Sequence, residues 1–453
     1  MLQRSRNRVV NVISNGMLRA AFGACVLLVG LTWGYAQITP SDPGLRGGGP
    51  GAGQPFATGL TPGQLGFFTN GLSEFTQVED VAAGLGPRFN LDSCGGCHIY
   101  PAVGGSSPPP SIGNPQVLQA PSMAPNSAVP PFLSVNGPIR EVRFVRSPTG
   151  ALDGGVKAIF TIAGRADAPP SCGITQPDFS YAPNMIFRIP TPVFGAGLIE
   201  SITDTTLKNN LLSDPNLLKA RYGIRGRLNA NGNDGTVTRF GWKAQNKSLL
   251  LFSAEAYNVE MGVTNEIFQN EREEDLNCAT NGLAENHTDF ETGDSADIVG
   301  FMTFMRFLDQ PTPACGVTGQ PACSGSVNNG RLLFTSIGCA TCHTPSLTTG
   351  LSPVAALNQK QANLYSDLAL HHMGTTLADN VAQGNAAGDE FRTAPLWGVG
   401  QRAFFMHDGR TSDLLQAIVA HSSSGSEAVN VISAFQGLTA SQKQDILNFL
   451  RSL

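Results

Sequence analysis

Two five-residue runs constrain this chain more than any other feature: Cys94-Gly95-Gly96-Cys97-His98 and Cys339-Ala340-Thr341-Cys342-His343. In a C-x-x-C-H run the two thiols can bond to the two vinyl groups of one haem, and the adjacent imidazole then falls under the iron. With 9 Cys and 7 His in 453 residues, two such runs are not expected by chance. A Cys/His zinc site is the competing reading. The chain is therefore expected to carry two covalently bound c-type haems. Cys94, Cys97, Cys339 and Cys342 would hold them, and His98 and His343 would each supply one axial ligand.

A chain of this length exceeds one core and implies two or more domains. Charged residues make up 14% and the formal net charge is −5, so nothing basic points to nucleic acid as a partner. The 52 Gly and 30 Pro imply many loops among the helices. The expected fold is mainly α, with many loops and a few short strands, arranged as two cytochrome-c-like haem domains of which the N-terminal one is elaborated. Residues 1–36 read as a secretory signal: Arg4, Arg6, Arg8 and Arg19 precede an apolar run from Ala20 to Trp33, and Gly34-Tyr35-Ala36 offers a cleavage site. An uncleaved membrane anchor is the alternative, although the run is short for a full span. Either reading puts the chain on the periplasmic side, where c-type haem is attached.

A Gly/Pro-rich arm follows at 37–60, and an N-terminal haem domain at 61–310. A linker spans 311–327, and a C-terminal cytochrome c domain 328–453. Helix is expected from Gly63 toward the first motif, over Ala296–Leu308, and from a capping-box pattern at Thr439 to the C-terminus. Pro101–Pro131 reads as loop wrapped over a surface, and Val156–Ile162 as a short strand. Gly330 to Phe334 leads into the second motif much as Gly71 to Phe75 leads toward the first. Cys25 lies in the signal, which leaves Cys172, Cys278, Cys315 and Cys323 for an oxidising space. A local Cys315–Cys323 bridge is the simplest of three pairings and implies Cys172–Cys278; four free thiols are the alternative.

Several stretches resemble the bacterial di-haem cytochrome c peroxidase superfamily, and more closely its branch of di-haem oxidoreductases, also called thiol oxidoreductases. They are Gly84 to Asn90 before the first motif, Pro101 to Gly105 after it, Arg239 to Ala244 mid-chain, and Phe391 to Gly398 and Met406 to Arg410 near the C-terminus. The likeness spans about residues 40 to 453. It implies that the C-terminal haem takes in electrons one at a time and the N-terminal haem reacts with peroxide or another oxidant. Trp242 matches the tryptophan that lies between the haems. Glu260, in Asn258-Val259-Glu260-Met261-Gly262, matches a glutamate that follows it. Phe252 stands where the peroxidases have glutamine. The superfamily often holds calcium between its domains; Arg188-Ile189-Pro190 lacks the expected asparagine, so calcium stays open.

Chemistry gives these residues a rationale of their own. Splitting an O–O bond needs a base that takes a proton from the near oxygen and hands it to the leaving one, and a buried carboxyl such as Glu260 suits that task. A helix-terminal or salt-bridged Glu260 and a merely core Trp242 are the bland alternatives. The far-side ligands decide between catalysis and plain electron transfer. After His98 no histidine occurs until His287, and Met123 is the nearby soft ligand, so the N-terminal haem is expected to be open or weakly capped. The C-terminal haem has His371, His372, Met373, Met406, His407 and His421 to choose from. The resemblance puts His421 at the far-side ligand position; a surface histidine at a helix end is the alternative. The expected activity is that of a peroxidase-like di-haem oxidoreductase. Its partners would be a small redox donor such as a c-type cytochrome, and peroxide or an organic substrate. A non-catalytic periplasmic electron-transfer cytochrome is the competing class.

Overall fold

The computed structural model describes residues 39–453 except 50, 148, 156–158, 180–181 and 280–285. The signal expected at 1–36 lies outside the described residues. Helix α1 (Pro62–Thr76) opens on a capping box in which the Thr61 hydroxyl accepts from the Gln64 N–H and the Gln64 side chain accepts from the Thr61 N–H, with proline in the first turn. The first motif is itself one helical turn, α2 (Cys94–Cys97), capped by Ser93. Then come α3 (Pro115–Met123), the short α4 (Ala196–Ser201), α5 (Asp204–Leu212) and α6 (Leu218–Tyr222), and the longer α7 (Leu249–Met261) and α8 (Asp297–Phe307). The C-terminal part holds α9 (Gly325–Ser336), α10 (Leu414–Ala420), α11 (Val429–Gln436) and α12 (Ala440–Ser452).

Strands are few and short. β2 (Glu141–Arg146) is the centre of an antiparallel sheet between β3 (Leu152–Gly155) and β5 (Met185–Arg188). The remaining strands form two-stranded ladders: β1 (Arg88–Phe89) with β4 (Ile162–Ala163), β6 (Leu347–Thr348) with β7 (Gln361–Ala362), and β8 (Leu370–His372) with β9 (Glu390–Arg392). Of the strand expected over 156–162, residues 156–158 lie outside the described residues, 159–161 are not strand, and Ile162 opens β4. The Pro101–Pro131 segment is not all loop. Asn114 caps α3 through the Gln116 N–H and Pro115 fits the first helical position, where no N–H is needed. Nor does it ride on the surface throughout, for Ser106, Ser107, Asn114 and Gln116 are buried.

The two motifs sit in matching frames. α1 crosses α8 at Gly71, where a Cβ would lie 2.2 Å from the Gly300 carbonyl oxygen. α9 crosses α12 at Gly330, where a Cβ would lie 1.9 Å from the Asp445 carbonyl oxygen. Only glycine allows backbones this close. One helical turn later a phenylalanine reaches the motif: the Phe75 ring centroid is 5.9 Å from that of His98, and the Phe334 centroid 6.1 Å from that of His343.

The larger core gathers Phe68, Phe75, Tyr257, Phe301 and Phe304, and also takes Leu347, Leu357, Leu364, Leu368 and Trp397 from beyond the 311–327 linker. A smaller core joins Phe334, Leu414, Phe435, Ile446, Leu447 and Phe449. The Gly/Pro-rich arm is ordered by specific partners. Asp42 pairs with Arg451 and accepts from the Leu414 N–H, Gln401 donates to the Gly49 carbonyl, and Ala52 enters the larger core. Replacing Gly330 by alanine should lower stability by about 1–3 kcal/mol, the usual penalty of overpacking. A lower urea midpoint with an unchanged slope is the expected result.

Candidate active site: two haem-motif cavities joined by a tryptophan

Each motif opens on a cavity. The N-terminal one, about 120 Å³, is lined by Cys94, Cys97, His98, Trp242 and Glu260 among others. The C-terminal one, about 220 Å³, is lined by Cys339, Cys342, His343, His421 and again Trp242. The two motif histidines are held alike. His98 Nδ1 lies 3.0 Å from the Gly105 carbonyl oxygen and His343 Nδ1 lies 3.0 Å from that of Tyr365. A carbonyl only accepts, so Nδ1 carries the proton and Nε2 keeps the lone pair that a metal needs. Burial pushes both imidazoles down to about 4, with nearby His421 adding to the effect on His343, so both are neutral and able to ligate at pH 7.

The cavities fit haem. The four motif thiols are free, whereas Cys172–Cys278 and Cys315–Cys323 are disulfides. The C-terminal cavity also holds two buried guanidinium groups, Arg392 and Arg402, which burial lowers to about 10. Arg402 leaves its Nε and Nη2 without a hydrogen-bond partner, and Arg188 leaves its Nε so beside the N-terminal cavity. Buried donors of this kind call for acceptors, and the carboxylates of a haem edge are acceptors of the right charge.

The candidate far-side ligands separate cleanly. His421 is the residue that ends α10; its Nδ1 donates to the Ala417 carbonyl at 2.8 Å, and it lines the C-terminal cavity with Nε2 left over. His371 has both nitrogens against carboxylates, Glu427 at 2.9 Å and Asp367 at 3.0 Å, and is no ligand. Cys342, Asp367 and His371 form the one three-residue grouping of metal-ligating side chains among the described residues, but Cys342 belongs to the haem motif. His372 is half exposed and pairs with Asp389. His407 is buried, lowered to about 4 by that burial, and stacks on Phe391 with centroids 4.5 Å apart. Met373 and Met406 also line this cavity.

Met123, the soft ligand nearest His98 in the sequence, stands away from the N-terminal cavity. It ends α3 and packs on the larger core, and it is not among the residues lining the N-terminal cavity. Met261 and Met305, distant in sequence from His98, line it instead, and Met261 Sδ is 4.0 Å from Cys94 Sγ. Phe252 also lines this cavity and stacks on Phe240.

Glu260 is near the end of α7 and faces the N-terminal cavity, with its carboxyl raised to about 8 by burial first and then by Glu141 and Glu255, against the opposing charge of Arg143. Sequence reasoning missed these three neighbours. Glu255 lies one and a half turns earlier on α7, where its spacing from Glu260 gave no shared face. Glu141-Val142-Arg143 does carry a signal, an alternation that puts both charged residues on one strand face. Val142 turns the other way, into a small core with Ile159 and Met185.

Trp242 lies between the cavities. Its indole N–H donates to the Ile189 carbonyl at 3.1 Å, the Arg402 guanidinium carbon is 5.8 Å from a ring centroid, and His407 meets it edge-on. The next residue, Lys243, is fully buried. It pairs with Asp379 at 3.0 Å, donates to the Ala387 and Gly388 carbonyls, and sits 3.8 Å above the Phe391 ring. Burial lowers its ammonium to about 8 despite Asp379. Arg188 holds the other Asp379 oxygen at 2.8 Å. Replacing Asp379 by asparagine would strand two buried cations, so the variant should lose about 3–5 kcal/mol of stability. Denaturant unfolding of the two proteins at the same haem content measures this.

A model of the family described as "Di-haem oxidoreductase, putative peroxidase" matches residues 154–453, about two thirds of the chain, a stretch that includes Trp242, Glu260 and the second motif. No curated protein matches the sequence. Among solved structures, a MauG-like protein associated with microbial copper homeostasis is similar at 16% identity, covering 58% of this chain and 90% of its own, with a TM-score of 0.29. The diheme peroxidase BthA from Burkholderia thailandensis is similar at 15% identity, covering 58% and 86%, with a TM-score of 0.30. The hydrazine synthase of Kuenenia stuttgartiensis is similar at 12% identity, covering 58% and 88%, with a TM-score of 0.27.

Proposed function

This chain belongs to the di-haem oxidoreductase family, and from that premise we propose that it reduces peroxide at its N-terminal haem with electrons that enter at its C-terminal haem. The haems, held covalently by Cys94 and Cys97 and by Cys339 and Cys342, would bind the oxidant and carry the electrons. The observation that carries the reading is the placement of Glu260. Its carboxyl lines the same cavity as Cys94, Cys97 and His98 and has a proton affinity raised toward neutrality. There it can take a proton from one peroxide oxygen and return it to the other. The reaction takes up two electrons and two protons for each peroxide turned into two waters. A small redox donor such as a c-type cytochrome would supply the electrons. Trp242, which lines both cavities, is assigned to the path between the haems. His98 and His343 are assigned as axial ligands, and His421 as the far-side ligand of the C-terminal haem.

The same reading places the protein in the periplasm. The N-terminal signal pattern and the two disulfides both suit an exported, oxidising setting. Under this proposal the purified protein contains two haems and gives a high-spin EPR signal when fully ferric or half-reduced. Two low-spin signals with no high-spin signal on half-reduction would instead mean a plain electron-transfer cytochrome. Glu260→Gln keeps the shape but not the proton exchange, so kcat/KM for peroxide should fall by about 10²–10⁴-fold. A base with a raised pKa is scarce in its reactive form below that pKa. The wild-type rate should therefore rise with pH toward about 8, and that limb should vanish in the variant. Replacing His421 by methionine should raise the reduction potential of the C-terminal haem, which a spectroscopic redox titration reads directly.

A further inference from the structure

The N-terminal cavity contains more carboxyl groups than one proton shuttle requires. Glu141, Glu255 and Glu260 all line it. Glu255 is anchored by the side chains of Asn246 and Gln245. Glu141 is different: its Oε1 is buried and accepts no hydrogen bond. A buried carboxylate oxygen without a donor is costly, and the penalty disappears if a proton sits between it and a neighbouring carboxyl. Glu260 lines the same cavity. Glu141 and Arg143 are two apart on β2 and share the face turned to the cavity, where Glu260 approaches from α7.

We propose that Glu141 shares one proton with Glu260 across the N-terminal cavity, so that the pair is the proton store of the site. Glu141 acts through Glu260 and is a positioning residue for it. The inference rests on the peroxidase reading for its purpose, since reduction of a peroxide to two waters draws two protons from the cavity while the donor supplies two electrons. Its physical content, one proton held by two carboxyls, is independent of turnover.

The charges around the pair make sharing the stable arrangement. Arg143 acts on both carboxyls, from the same strand face as Glu141. Arg188, from β5, and Arg272, from the loop behind α7, act on Glu141, but each is also engaged elsewhere: Arg188 with Asp379 and Gln383, Arg272 with Asn258. Glu255 adds a like charge against both members of the pair. On the motif side Asp92 faces Cys97, which Glu141 and Glu260 also influence. Arg140, just before the strand, points to the Phe132 and Asp408 carbonyls. With like charges facing each other and Arg143 the cation common to both, full ionisation of both carboxyls is disfavoured, and the first proton is held by the two together.

Infrared titration of the full-length, haem-loaded protein tests this, read at the carbonyl stretch of protonated carboxyl groups. The wild type should keep a protonated-carboxyl band until the pH approaches about 8. In Glu141→Gln the midpoint of that band should fall by about one pH unit, a tenfold loss of proton affinity, because the like charge is gone. An unmoved or raised midpoint overturns the proposal. Glu260→Gln reads the same pair from the other side and decides the matter if Glu141→Gln does not fold. The band left on Glu141 should titrate lower than in the wild type, and a band that titrates unchanged refutes the sharing. Peroxide turnover is scored separately. A shared proton in a protein that does not consume peroxide refutes the peroxidase reading and leaves the pair standing, and turnover with an unmoved midpoint does the reverse.

Discussion

At Gly71 and again at Gly330 a helix lies so close to another that no side chain fits between them. These two crossings determine where everything else can go. Each brings a phenylalanine, Phe75 or Phe334, one turn onward against the motif imidazole. Each thereby fixes the depth at which the C-x-x-C-H turn meets its cavity. Each imidazole has its Nδ1 against a backbone carbonyl, which puts the proton there and leaves the lone pair on Nε2. The same device appears twice in one chain, with Cys94 and Cys339 245 positions apart.

Beside Trp242, which packs on the apolar residues Ile189, Ala403 and Phe404, lies a buried charge cluster. Asp379 binds Arg188 on one oxygen and Lys243 on the other, all three buried. This cluster joins β5, the segment carrying Trp242, and a loop from the C-terminal part. Such groups add little net stability over apolar residues of equal size, but removing one partner is costly. Its position beside Trp242 suggests what it provides: the indole is held in one place by its Ile189 hydrogen bond, by Arg402 and by a rigid neighbour in Lys243. An aromatic that lines both cavities needs a fixed position if the distance between the two haem sites is to be constant.

The two cavities also differ in chemistry. The C-terminal one is bounded by Phe334, Phe405, Phe435 and Leu450, with a histidine at the end of α10. Such a setting suits a closed, electron-carrying haem. The N-terminal one carries three carboxyls and three arginines, Arg140, Arg143 and Arg188, together with Trp242. Proton chemistry needs groups of this kind, and their burial there moves Glu260 toward neutrality.

Much of this was legible in the chain itself. Local signals are complete within a few residues, so the two motifs, the Thr439 cap, the Ala296–Leu308 helix and the Cys315–Cys323 loop could be read directly, and the structure has them where expected. The glycine-to-phenylalanine steps before each motif were visible as a repeat. What needed the fold were contacts between residues far apart in sequence. Met123 is near His98 in the chain but is turned away on α3, while Met261 and Met305 line the cavity. Glu141 lies 119 positions from Glu260 and comes into play only because β2 and α7 both line the N-terminal cavity. The sequence alone determined which thiols and imidazoles this protein offers at each motif, because a C-x-x-C-H run is complete within five adjacent residues. Only the tertiary structure decided which acids, bases and aromatics surround each haem site, because burial and charge pairing depend on the packing of distant segments.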